Sequence, residues 1–78
     1  MKVIIPSPLV SYTREREVEA GGRTVAEVVA DLDRRYPGLR FRMVDEQDRL
    51  RPHVRVFVNG EQARDLATAV GPGEELQI

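Results

Sequence analysis

The 78-residue sequence contains no cysteine. That absence excludes a disulfide framework, a thiolate zinc site, an iron–sulfur cluster and a cysteine nucleophile together. Histidine is nearly absent too, because His53 stands alone. Metal sites draw on several ligands, so a lone imidazole at a strand start reads as a solvated or hydrogen-bonded side chain. No excess of one charge exists either: 12 Lys+Arg oppose 13 Asp+Glu, for a net −1. Nucleic acid and anionic membranes both select a basic patch, so neither is expected as a partner. No apolar run approaches bilayer-crossing length, and the N-terminus lacks a basic-then-apolar signal pattern. The expected location is therefore the cytoplasm. Repeats, linkers and low-complexity stretches are missing as well. One small domain spanning residues 1–78 is the natural reading of this length.

Chemical motifs are equally scarce. "AGG" and "GPG" lack the Lys and Ser/Thr that complete a phosphate loop. "GGRT" precedes a helix and offers at most a weak anion site there. "DEQDR" lacks the spacing and glycine of a calcium loop and reads as solvated. Ser7, Ser11 and Thr13 sit in no recognisable nucleophile setting. A small enzyme built on His53 and the loop acids would lack a paired nucleophile or acid.

What is present is patterned. "KVIIP" reads as a buried strand, with Val3 and Ile5 opposite Lys2, Ile4 and Pro6. Pro6 and Pro8 end its ladder. "REREVEA" is a charged strand suited to a sheet edge. "TVAE" is a capping box that opens a helix, in which Thr24 accepts from Glu27 and the Glu27 carboxylate reaches back. Val25, Val28, Val29 and Leu32 form its apolar stripe, and "YPG" ends it. Leu39 to Met43 can seal one edge of the core. In "HVRVFVNGE", Val54, Val56 and Val58 alternate with His53, Arg55 and Phe57, and "NG" signals a type I′ hairpin. "EQARDL" gives a short return strand, "ATAV" a single turn, and Glu74 to Ile78 a last strand after "GPG". The order β-β-α-β-β-β predicts an α+β domain. It has a mixed sheet of four to five strands, one main helix across one face, and the first and last strands central.

If the valines face the helix, Ile4 and Phe57 lie on the uncovered sheet face, with Arg55 and His53 beside them. An aromatic and a branched aliphatic rimmed by arginine suit a protein-binding patch.

Across nearly its whole length the chain resembles the ubiquitin-like β-grasp sulfur carriers of the MoaD/ThiS family. The cues are "KVIIPSPL", "GRTVAEVVADLDRRYPGL", "RPHVRVFVNGEQARDL" and "ATAVGPGEELQI". The wording is nearest to the thiocarboxylate carrier of cysteine synthesis. The resemblance implies a protein-sized substrate and not an enzyme. It implies that an E1-like enzyme uses ATP to adenylate a C-terminal glycine carboxylate, which becomes a thiocarboxylate and donates sulfur to a biosynthetic enzyme. No cofactor is expected to bind the carrier itself. Docking is expected through the open sheet face and the base of the tail, here Ile4, Pro6, Arg55, Phe57, Gln77 and Ile78. The family ends in Gly-Gly, whereas Gly71 and Gly73 precede the last strand here. The thiocarboxylate is therefore expected on a terminus beyond Ile78, which would end the rigid domain. The alternative is a ubiquitin-like interaction module that uses the same face without sulfur chemistry.

Overall fold

Alternation at the start of the chain produces β1 (Lys2–Ile4), with Val3 wholly buried and Ile4 half-buried on the opposite face. The computed structural model describes residues 1–78. After Pro6 the chain does not pass straight to a strand. Ser7–Leu9 form a 3-10 turn that runs into α1 (Val10–Thr13). Proline at the first turn of a helix has no intrahelical bond to lose, so Pro8 starts this segment as well as ending the strand. Arg14 then takes a left-handed conformation (φ 63°) and donates its N–H to the Val10 carbonyl at 2.6 Å. The Thr13 hydroxyl donates to the Glu15 carbonyl at 2.6 Å. These bonds correct the expected long second strand, since β2 covers only Glu17–Glu19.

The main helix α2 (Val25–Arg35) starts at Thr24, as its capping box requires. Thr24 Oγ1 accepts from the Glu27 N–H at 3.2 Å. The Glu27 carboxylate reaches one residue further back than a capping box predicts, accepting from the Arg23 N–H at 3.1 Å. Val25, Val28, Val29 and Leu32 are all buried. Gly38 (φ 98°) turns the chain into α3 (Leu39–Met43), which buries Leu39 and Met43 as the expected seal.

The valine-rich strand is shorter than its alternation suggests. β3 covers Val56–Val58, because the Val54 N–H turns back onto the Arg51 carbonyl at 2.9 Å. Asn59 (φ 51°) and Gly60 (φ 91°) both take positive φ, the type I′ geometry, and lead into β4 (Glu61–Ala63). The expected turn at "ATAV" is also corrected. The turn falls earlier, where Asp65 Oδ1 accepts from the Ala67 N–H at 3.0 Å. Ala69 instead makes an extended bridge to Thr24, and β5 (Leu76–Gln77) follows.

The sheet order is β2-β1-β5-β3-β4, with β1 and β5 parallel and the other pairs antiparallel. The last strand is therefore central and β2 lies at an edge, as its charges indicate. α2 and α3 cover one face over a cluster of 17 buried apolar residues. Asp31 ties α2 to the loop that follows β2. It accepts from the Gly21 N–H at 3.0 Å and pairs with Arg34 and with Arg35 at 3.4 Å. The Gly21 bond first, then Arg35 and Arg34, hold its carboxyl below the usual range despite some desolvation.

Val56 is fully buried, so Val56→Ala should cost on the order of 1–3 kcal/mol in urea unfolding. A neutral result would place Arg55 and Phe57 inside instead. Asp31→Asn should cost about 0.5–1.5 kcal/mol near neutrality. The folded pKa of Asp31 is depressed, so its contribution is complete above the unfolded value of about 3.9 and fades as pH falls through it. Unfolding curves of the two proteins should converge in strong acid; a gap that persists there would mean the carboxylate charge is not the cause.

Candidate docking face and groove

Strand register places five side chains in one row across the uncovered face: Glu17, Ile4, Gln77, Phe57 and Gln62. Ile4 and Phe57 are both half-buried, whereas Gln77 is exposed between them. The expected pair thus faces outward, but a polar amide divides it. Ile78 follows β5 and donates its N–H to the Ile4 carbonyl at 3.1 Å. Its side chain is half-buried and packs at the margin of the core.

Where β5 ends, the surface sinks into a groove of about 500 Å³. Four parts of the chain meet there: the 3-10 turn, α3, the segment before β3, and the residue after β5. Its apolar lining is Pro6, Pro8, Leu9, Val54, Phe57 and Ile78, and its basic lining is Arg42, His53 and Arg55. Four of the six expected docking residues are brought together here: Pro6, Arg55, Phe57 and Ile78. Ile4 and Gln77 stay on the open sheet beside it.

Sequence reasoning missed Pro8, Leu9, Val54 and Arg42. The signal for the first two was "PSPL" followed by a helix, which swings the chain under the end of the sheet. Arg42 carries no sequence signal, since its place depends on how α3 packs. There its Nε donates to the Tyr12 hydroxyl at 2.6 Å, with the guanidinium 5.9 Å from the Tyr12 ring centroid.

The remaining candidates resolve simply. The helix N-terminus after "GGR" is closed to anions. Its Val25 and Ala26 N–H groups donate to the Thr68 and Leu66 carbonyls at 3.0 and 2.9 Å, and Thr24 takes that of Glu27. In the acidic loop, N–H bonds from Arg49 and Gln47 hold the Asp45 carboxyl below its usual range, while Asp48 pairs with Arg40 at 2.7 Å. No group of three or more His, Asp or Glu is placed to hold a metal ion. No helix is long and apolar enough to cross a membrane. A second surface feature went unforeseen: Phe41 is 64% exposed, with the Arg51 guanidinium 4.9 Å from its ring centroid.

Comparison with known proteins bears on the fold and the family. The sulfur carrier protein CysO of Mycobacterium tuberculosis is 34% identical over 82 residues, covering 97% of this chain and 88% of the relative. The CysO of Amycolatopsis orientalis, solved as a BexX/CysO complex, superposes with a TM-score of 0.93 at 36% identity, covering 97% of this chain and 89% of that one. The small archaeal modifier protein SAMP1 of Haloferax volcanii superposes with a TM-score of 0.78 at 29% identity, over 99% of this chain and 89% of that one. The architecture is the ubiquitin-like β-grasp that the sequence predicts. The model of the ThiS family matches residues 3–78, and the chain belongs to that family.

Proposed function

We propose that this protein is a sulfur carrier that bears sulfur as a C-terminal glycine thiocarboxylate. The carboxylate oxygen attacks the α-phosphate of ATP in an E1-like enzyme and displaces pyrophosphate. The resulting acyl-adenylate has a good leaving group. A sulfide-level sulfur attacks its carbonyl, AMP departs with the former carboxylate oxygen, and the thiocarboxylate remains. A biosynthetic acceptor then takes the sulfur. Cysteine synthesis is the route we assign, from the sequence wording and the resemblance to CysO. The carrier's own side chains perform none of these steps. Its contribution is recognition and placement.

One observation carries the reading. Ile78 is held at the mouth of the groove by its bond to Ile4, so any residue joined to it starts there. A partner seated on the groove and sheet face would meet the reacting terminus at a fixed point. Glycines suit such a terminus, because a chain without side chains can lie extended in a narrow channel.

The direct test is the intact mass of the untagged natural gene product, before and after treatment with ATP, a sulfide source and the E1-like enzyme. Replacement of one oxygen by sulfur at a terminal glycine is the expected result. No mass change would leave a ubiquitin-like interaction module. Docking is tested separately by Phe57→Asp. Phe57 is half-buried outside the core cluster, so the variant should fold with about 1 kcal/mol of loss or less. Calorimetric titration should show the activating enzyme binding it about tenfold or more weakly. Unchanged affinity would remove Phe57 from the interface.

A further inference from the structure

The groove gathers Arg42, His53 and Arg55, and no Asp or Glu lines it. This is not a reflection of composition, since the chain has 13 acidic residues and a net charge of −1. Elsewhere four basic side chains are paired with carboxylates. Lys2 lies 3.7 Å from both Glu17 and Glu75, Arg34 and Arg35 share Asp31, and Arg40 meets Asp48. The three basic side chains of the groove make no ion pair within the chain. Arg42 is also held in place by its bond to Tyr12.

We propose that the groove receives a partner segment in which an acidic side chain is flanked by bulky apolar ones. The prolines, Leu9, Phe57 and Ile78 supply an apolar surface for the flanking side chains. The guanidinium groups of Arg42 and Arg55 supply the charge-assisted donors that a carboxylate accepts. The same basic set repels a basic segment, which gives selectivity as well as attraction. This deepens the docking reading above and rests on it only for which protein carries the segment.

The probe is a blocked synthetic peptide with one glutamate between leucine and phenylalanine, compared with its glutamine counterpart. Backbone amide NMR of the labelled chain follows the titration. Shifts should centre on Arg42, Arg55, Phe57 and Ile78. The glutamine peptide should bind about two- to fivefold more weakly, as for one partly exposed ion pair. Arg55→Gln, at an exposed position, should weaken the glutamate peptide to a similar extent and the glutamine peptide little.

Equal binding of the two peptides, or shifts away from the groove, overturns the proposal. So do shifts that appear on concentrating the chain alone, which would make a second copy the occupant. The mass measurement separates the two readings. Thiocarboxylate formation with no discrimination between peptides sinks the groove alone. Discrimination without thiocarboxylate sinks the sulfur chemistry alone.

Discussion

The structure depends on a two-residue strand entering the middle of a sheet. β5 joins β1 on one side and β3 on the other, so Leu76 lies opposite both Val3 and Val58. Without it, the β1–β2 and β3–β4 pairs have no common edge. Leu76 is wholly buried beneath the helices, which makes the joint apolar as well as hydrogen-bonded. Bonds on either side extend it: the Asn59 N–H to the Glu75 carbonyl at 2.7 Å, and the Ile78 N–H to the Ile4 carbonyl at 3.1 Å. The two ends of the chain are thus fixed to one another, and the groove exists because they meet.

The stretch leading to β5 has a second task. Its carbonyls at Leu66 and Thr68 accept the first N–H groups of α2, and the Val70 N–H donates to the Arg23 carbonyl at 2.8 Å. A helix start leaves such donors unpaired unless something supplies acceptors. Here the backbone supplies them, so the positive end of the helix is occupied. That helix start therefore offers a ligand no free donors.

Much of this was legible in the sequence, and the exceptions share a cause. The α2 stripe, its Thr24 cap, the Asn59–Gly60 hairpin and the succession of strands along the chain follow from local pattern. So does the outward orientation of Ile4 and Phe57, because a strand alternates its faces. The misreadings arose where one residue had two uses. Pro8 ends a strand and also starts a helix, and only the first use was read. Val54 continues an alternation that the Arg51 turn interrupts. Arg42 and Phe41 differ by one position on a five-residue helix, yet one reaches the groove and the other stands exposed. Which does which depends on packing between elements distant in sequence, and no local period encodes that.

Lys2, clasped by Glu17 and Glu75, is the only lysine in the chain, and every other basic side chain except His53 is arginine. The other primary amine, at Met1, donates to the Ala20 carbonyl at 2.8 Å and pairs with Glu19 at 3.3 Å. Arginine stays charged and does not readily form amides, whereas lysine is the usual acylation target. Under the proposed chemistry, an activated acyl terminus would meet among residues 1–78 only two primary amines, each beside a carboxylate.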